Sequence, residues 1–132
     1  MCTIQLNVKS AGSLVAEAKS RVQNLSVEQV VAEIETGALL IDLREPEERS
    51  RDGVIPGAIH APRGMLEFYA DPNTPYYRSE FSPERRIILH CASGGRSALA
   101  ADTLQQMGYR NVAHLDGGFR VWKEQGQSTK VS

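Results

Sequence analysis

Residues 86–97 read RIILHCASGGRS, and the rest of the chain is best interpreted outward from them. A short apolar run ends at Cys91, a small loop containing Gly94-Gly95 follows, and a helical pattern begins near Ser97 or Ala98. A strand, a tight loop and a helix N-terminus in that order form an anion cradle, because backbone N–H groups and the helix dipole face one point. A thiol in such a cradle is expected to lose its proton easily and to act as a nucleophile.

The alternative interpretation of Cys91 is an inert, small, buried side chain, which is the commonest role of a free cysteine. Three features favour the nucleophile. The residues that follow Cys91 are small and polar, and Gly94-Gly95 allows backbone conformations that turn N–H groups inward. Arg96 lies beside a helix N-terminus, where a cation is unfavourable unless an anion is close.

Length and composition indicate one globular domain. The 132 residues are 41% hydrophobic and 23% charged, with 15 basic and 16 acidic residues and a net charge of −1, so neither a nucleic-acid nor a membrane-surface partner is predicted. The chain has two cysteines, of which Cys2 lies in a terminus expected to fray, and it has no metal-ligand spacing. No signal peptide or membrane span is apparent, and a cytoplasmic protein without a structural disulfide or zinc site is expected.

The chain alternates between helical and strand patterns. The domain is predicted over residues 11–126, after a flexible arm at 1–10 and before a loose tail at 127–132. Helices are predicted at 13–22, after a Ser26–Gln29 capping box, from Pro46, at 98–107 with Met107 facing inward, and at 119–125. Strands are predicted at 38–41, 59–60, 86–90 and 111–115. Residues 62–85 form a long irregular excursion, and a functional loop and a tolerated surface insertion are equally compatible with it.

This alternation predicts an α/β domain with a mostly parallel sheet. Ligands of such sheets bind beyond the carboxyl ends of the strands. Cys91 follows one strand, and Asp42 and Arg44 stand at the end of another, where they either contact the site or, as is more usual, form a mutual or loop-bracing ion pair.

Three stretches of the sequence resemble the rhodanese family, in its single-domain bacterial form. They are 42–46 continuing to 53–58, 91–97, and 116–119 with Trp122, and with the order of elements the resemblance covers residues 26–126. The resemblance implies a three-layer domain whose central, mostly parallel sheet has about five short strands flanked by helices. It also implies a sulfurtransferase in which Cys91 becomes a persulfide and passes its outer sulfur to cyanide or a thiol, without a metal or organic cofactor.

The resemblance further implies a loop that binds the persulfide and the substrate, formed by Ala92, Ser93, Gly94, Gly95, Arg96 and Ser97. Four residues separate Cys91 from Arg96. The related cell-cycle phosphatases have a loop longer by one residue, which suits phosphate, so a phosphatase or arsenate reductase is the less favoured alternative. The family's aromatic residue near Arg49 and histidine at Val54 are absent, with little effect expected on the chemistry. Ala92 and Ser93 are uncharged, unlike the corresponding residues of two-domain enzymes that use thiosulfate, which leaves the sulfur donor open.

Several roles stay open at this point. Arg96 either binds the donor anion or braces the loop, and Ser97 either caps the helix, which is favoured, or donates to the persulfide. His90 should point away from the Cys91 side because neighbours on a strand face opposite ways, and His60 and His114 have no partner pattern and are interpreted as structural.

Phe119 and Trp122, one helical turn apart, are predicted to pack in the core. A second class of function is a non-catalytic sulfur carrier for a partner protein, which would dock on residues 65–82.

Overall fold

Five short parallel strands form the centre of the protein in a computed structural model that describes residues 8–132. The order across the sheet is β1-β5-β4-β2-β3, so the strand that leads into Cys91 is the central one. The strands are β1 (Gln23–Leu25), β2 (Leu39–Asp42), β3 (Ile59–His60), β4 (Ile87–His90) and β5 (Val112–Leu115). The predicted α/β fold with a parallel sheet of short strands is confirmed, and the parallel register places the carboxyl ends of all five strands at one edge.

Six α-helices surround the sheet within the described part of the chain. They are α1 (Ala11–Arg21), α2 (Val27–Glu35), α3 (Pro46–Asp52), α4 (Leu66–Ala70), which follows a 3-10 turn at Arg63–Met65, α5 (Gly95–Gln106) and α6 (Gly118–Glu124). The capping box of α2 is confirmed, with Ser26 and Gln29 each accepting a backbone hydrogen bond of the other. Helix α5 begins three residues earlier than predicted, which brings Arg96 and Ser97 into its first turn.

The two faces of the sheet carry separate hydrophobic clusters, as expected for a three-layer domain. Alternation along β4 directs Ile87 and Leu89 to the cluster that includes α4 and α5, and Ile88 to the cluster that includes α2 and α6. Cys91 belongs to the same cluster as Leu89. The sulfur therefore lies on the α5 side of the sheet.

Two predictions of exposure are wrong. Met107 is 39% exposed because α5 ends before it, so this side chain does not face the core. The predicted loose tail is attached to the domain, since Lys130 exchanges two backbone hydrogen bonds with Val54, and the Trp122 indole donates to the Ser128 carbonyl at 2.8 Å. The predicted arm at 1–10 and Cys2 fall largely on residues 1–7, which lie outside the described part of the chain.

The excursion at residues 62–85 is built into the core and is not a surface insertion. Phe81 is fully buried, the Tyr109 hydroxyl donates to the Ala70 carbonyl at 2.7 Å, and Arg78 donates to the His60 carbonyl at 2.9 Å. Phe68 and Tyr76 remain exposed and contact each other edge to face. Within residues 8–132, no helix combines the length and the apolar character needed to cross a membrane.

Candidate active site

The Cys91 thiol lies in a cradle of main-chain amides. Its Sγ accepts from the Gly94 N–H at 3.2 Å and from the Ser97 N–H at 3.4 Å, at the N-terminus of the 12-residue helix α5. Gly94 adopts φ +107°, a left-handed conformation that a side chain would strain, and this turn directs its amide toward the sulfur. The helix dipole and these amides together favour a negative charge on Sγ.

Helix α6 holds the two carbonyls at the start of the cysteine loop. The Phe119 N–H donates to the Cys91 carbonyl at 2.8 Å, and the Arg120 N–H donates to the Ala92 carbonyl at 3.0 Å. The helix can approach this closely only because residue 118 is glycine, since a Cβ there would lie 2.7 Å from the Cys91 carbonyl oxygen and from two backbone atoms of Ala92. The first turn of α6 therefore fixes the backbone of Cys91 and Ala92, which leads into the two amides that face the sulfur.

The thiol is enclosed. Cys91 is only 1% exposed, Ala92 is half-buried, and Ser93 is the exposed residue of the loop. A cavity of about 290 Å³ lies beside Ala92 and is lined by basic, acidic and aromatic side chains, namely Arg44, Asp52, Phe119, Arg120, Lys123 and Glu124. Although Cys91 packs in the hydrophobic cluster on the α5 face of the sheet, its sulfur has three polar neighbours, the Gly94 and Ser97 amides and the Ser97 hydroxyl.

Ser97 does not cap the helix, contrary to the favoured prediction. The N-cap position is Gly94, which has no capping side chain, and Ser97 lies inside the first turn with no exposed surface. Its Oγ is 3.5 Å from Cys91 Sγ and 2.8 Å from His114 Nδ1. The hydroxyl also lies 3.3 Å from the Gly94 carbonyl, and it joins the thiol to a buried histidine.

Arg96 makes a two-point ion pair with Glu48 of α3. Its Nη1 donates to Oε1 at 2.7 Å and its Nη2 to Oε2 at 2.9 Å. The hydrogen bonds from Arg96 lower the pKa of Glu48 to about 2. Of the two roles left open for Arg96, this geometry supports bracing of the loop, because both outer nitrogens of the guanidinium are engaged.

Asp42 and Arg44 form the mutual ion pair that the sequence suggests. Arg44 donates to both carboxylate oxygens, at 3.0 and 2.9 Å, and both residues are almost fully buried. Burial raises the pKa of Asp42, but the hydrogen bonds from Arg44 outweigh it and the net result is a pKa of about 2. Arg44 also donates to the Gly53 carbonyl, and its guanidinium carbon lies 4.1 Å from the centre of the Phe119 ring. The Asp42–Arg44 pair therefore packs against the first turn of α6.

His90 is a core histidine, as its strand parity predicts. The side chain has no exposed surface and stacks on the Phe119 ring, and its Nε2 atom is 3.8 Å from Asp42 Oδ2. Burial lowers the pKa of His90 to about 4, so the ring is neutral near pH 7. His60 is likewise structural and donates from Nε2 to the Arg44 carbonyl.

Two residues near the site, Asn24 and Glu48, escape the sequence interpretation, and His114, interpreted as structural without a partner, has partners beside the thiol. His114 contacts Ser97, and its Nε2 lies 2.7 Å from Asn24 Oδ1. The available signal was a histidine near the carboxyl end of an otherwise apolar strand, the edge at which Cys91 also lies. Nothing in the local pattern around Asn24 or Glu48 indicates their partners.

Comparison with known proteins agrees with this geometry. The family model of the rhodanese-like domain matches residues 26–125. A sulfurtransferase from Allochromatium vinosum is 33% identical over 107 residues, which cover 81% of this chain and 91% of that protein. Thiosulfate sulfurtransferase 16 of Arabidopsis thaliana, a chloroplastic protein, is 36% identical over 99 residues, 72% of this chain and 82% of the relative.

Among solved structures, a protein of unknown function from Rhodopseudomonas palustris, described as "Possible Tyrosine Phosphatase", superimposes with a TM-score of 0.88. It is 38% identical, and the match covers 93% of this chain and 96% of that one. The fold, the cysteine loop and the family match together define a rhodanese-like domain. This chain belongs to the rhodanese-like domain family, whose members include the sulfurtransferases above.

Proposed function

We propose that this protein transfers a sulfane sulfur from a small donor to a thiophilic acceptor through a persulfide on Cys91. One observation carries the proposal: two main-chain amides, those of Gly94 and Ser97, point at Sγ from 3.2 and 3.4 Å at the start of a helix. Such an arrangement stabilises a thiolate without a side-chain cation, and in a persulfide the same amides face the inner sulfur.

The reaction has two displacements. The Cys91 thiolate attacks the outer sulfur of the donor, the bond to the rest of the donor breaks, and that remainder leaves with the electron pair, as sulfite when the donor is thiosulfate. The acceptor, cyanide or a thiolate, then attacks the outer sulfur of the persulfide, which releases thiocyanate or a new persulfide and regenerates the Cys91 thiolate. No metal or organic cofactor enters either step.

The surroundings of the loop support a single sulfur atom as the cargo. Arg96 is engaged by Glu48, and Ala92 and Ser93 carry no charge, so the loop itself offers amides, while the basic side chains Arg120 and Lys123 line the cavity beside Ala92. The ion pair also favours one fixed loop conformation, which keeps the amides aligned during both displacements.

Intact mass spectrometry tests the proposal. The Cys2→Ser protein, incubated with thiosulfate or with mercaptopyruvate, should gain one sulfur atom and lose it again on addition of cyanide. The Cys91→Ser protein should gain none under the same conditions. A wild-type chain that gains no sulfur from either donor, or a gain that persists in Cys91→Ser, would refute the proposal.

A sulfur carrier for a partner protein is the second candidate, because Phe68 and Tyr76 form an exposed aromatic pair that the fold itself does not bury. The two candidates differ in turnover. An enzyme gives many equivalents of thiocyanate per chain in the steady state, and a carrier gives one equivalent and stops.

A phosphatase is the third candidate, since the Rhodopseudomonas palustris relative carries that description. The four-residue spacing between Cys91 and Arg96 and the engagement of Arg96 by Glu48 argue against it, because phosphate needs free donors around all its oxygens. Release of phosphate from p-nitrophenyl phosphate by wild type, lost in Cys91→Ser, would support the phosphatase and contradict the sulfurtransferase.

A further inference from the structure

A chain of buried hydrogen bonds connects Cys91 with strand β1 through α5 and β5. Cys91 Sγ lies 3.5 Å from Ser97 Oγ, Ser97 Oγ lies 2.8 Å from His114 Nδ1, and His114 Nε2 lies 2.7 Å from Asn24 Oδ1. Ser97 and His114 have no exposed surface. Neither water nor the protein surface is therefore available to either side chain, and each must satisfy its polar atoms within the chain.

The hydrogen bonds of Asn24 determine which atom is the donor at each step of this hydrogen-bonded series. Its amide nitrogen donates to two backbone carbonyls, those of Lys19 at 3.0 Å and Val22 at 3.2 Å, which uses both of its N–H groups. Only the oxygen of Asn24 is left for the histidine, so the Nε2 of His114 must carry the proton. Nδ1 is then an acceptor 2.8 Å from Ser97 Oγ, and the Ser97 hydroxyl donates to it in preference to the Gly94 carbonyl, which lies at 3.3 Å.

The Ser97 oxygen consequently presents its lone pairs to Cys91. This is a favourable arrangement for a neutral thiol, whose S–H can donate to Ser97 Oγ. It is unfavourable for a thiolate or a persulfide, because two electron-rich atoms would then face each other. Anionic sulfur at this position is therefore stabilised when the Ser97 hydroxyl turns its proton toward Sγ, which leaves His114 Nδ1 without its donor.

We propose that His114 is a positioning residue for Cys91, acting through Ser97, and that it receives the thiol proton when Cys91 becomes anionic. The S–H bond of Cys91 breaks and its proton passes to Ser97 Oγ, while the Ser97 hydroxyl proton passes to His114 Nδ1. The products are a thiolate and an imidazolium, with no other reactant. In this state Ser97 donates to the sulfur, His114 donates to Ser97 from Nδ1 and to Asn24 from Nε2, and every polar atom of the chain keeps a partner.

The electrostatics couple the imidazolium to the anionic sulfur. Burial lowers the pKa of His114 to about 4, so the ring is neutral in the resting protein. The charged groups around it are Asp116, at the end of its own strand, and Lys19 of α1, and these two pair with each other at 3.0 Å. A negative sulfur at the far side of Ser97 supplies the charge that makes protonation of His114 favourable.

Alkylation of Cys91 by iodoacetamide at pH 7, followed by intact mass in a Cys2→Ser background, tests the relay. Ser97→Ala should slow alkylation by at least about tenfold, and Ser97→Thr, which keeps the hydroxyl, should retain most of the rate. His114→Asn is the decisive variant, because an asparagine oxygen can accept from Ser97 where Nδ1 did but cannot take up a proton. We expect His114→Asn to be as slow as Ser97→Ala, and a rate equal to that of wild type would overturn the proton transfer.

Nitrogen-15 spectra of the His114 ring in the wild-type sequence keep the proposal falsifiable if a variant does not fold. The reduced protein should show a neutral ring protonated at Nε2, and the persulfide should show an imidazolium. A ring that stays neutral in the persulfide, or that carries its proton on Nδ1 in the reduced protein, would overturn the inference.

The inference rests on the proposed role of Cys91 in sulfur transfer, but the proton relay and the sulfur transfer are refuted by different results. A protein that gains sulfur with His114 unchanged refutes only the relay, and a protein that gains none refutes the sulfur transfer itself.

Discussion

Gly118→Ala should damage both stability and the cysteine loop. Gly118 has φ +65°, so an alanine there is strained by about 1–2 kcal/mol in the left-handed region. Its Cβ would also lie 2.7 Å from three backbone atoms of Cys91 and Ala92, well inside contact distance. Relief requires the loop and α6 to separate by several tenths of an ångström, and overpacking of this kind costs about 1–3 kcal/mol. The total loss is therefore about 2–5 kcal/mol.

The same displacement should weaken the amide cradle. The hydrogen bonds from Phe119 and Arg120 to the carbonyls of Cys91 and Ala92 would lengthen, and the backbone that leads from these residues to the Gly94 amide would shift. Since a misplacement of about 1 Å can cost about a hundredfold in rate, we expect at least a tenfold slower alkylation of Cys91.

Gly57→Ala is the matched control for this prediction. Gly57 has a similar left-handed φ of +86°, but nothing lies within 4 Å of the added Cβ. It should lose only the backbone strain, about 1–2 kcal/mol in urea unfolding, and keep the alkylation rate of wild type. If Gly118→Ala matches Gly57→Ala in both measurements, helix α6 does not shape the loop, and the reasoning is refuted.

Three further outcomes are expected. Asp42→Asn should lower the free energy of unfolding by about 3–5 kcal/mol, because it leaves Arg44 buried without its carboxylate. Asp52→Asn, which removes one partner of an exposed pair, should change the free energy of unfolding far less in the same urea titration. Glu48→Gln should slow sulfur transfer severalfold, because it releases Arg96 from its ion pair. Glu47→Gln, a change at the neighbouring residue of the same helix, should leave the rate unchanged. Equal rates in the two variants would contradict the bracing role of the Arg96–Glu48 pair. Finally, the folded-state pKa values of Asp42 and Glu48, each about 2, lie below their ordinary values of 3.8 and 4.5, so their stabilisation is complete above about pH 4.5 and declines as the pH falls toward 2. Asp42 accounts for about 2 kcal/mol of that decline, and urea midpoints that stay constant from pH 5 to pH 2 would contradict the assignment.

The sequence by itself predicts the local features of this protein. The capping box at Ser26, the apolar strand ending in Cys91 and the glycine loop each depend on residues a few positions apart, and the structure confirms all three. Strand parity likewise separates His90 from the Cys91 side. Local sterics and hydrogen bonding act over one turn or one strand, so a pattern of neighbouring residues is sufficient to predict them.

The choice of side-chain partners around the sulfur depends on contacts between distant segments. Glu48 meets Arg96 because α3 and the cysteine loop lie at the same edge of the sheet, and His114 meets Ser97 because β5 pairs beside β4 under α5. Ser97 shows the limit most clearly, since its hydroxyl suits a helix cap in sequence and faces the thiol in the fold. A side chain binds whatever the packing of whole elements brings within about 3 Å, and that packing is a property of the assembled sheet and helices.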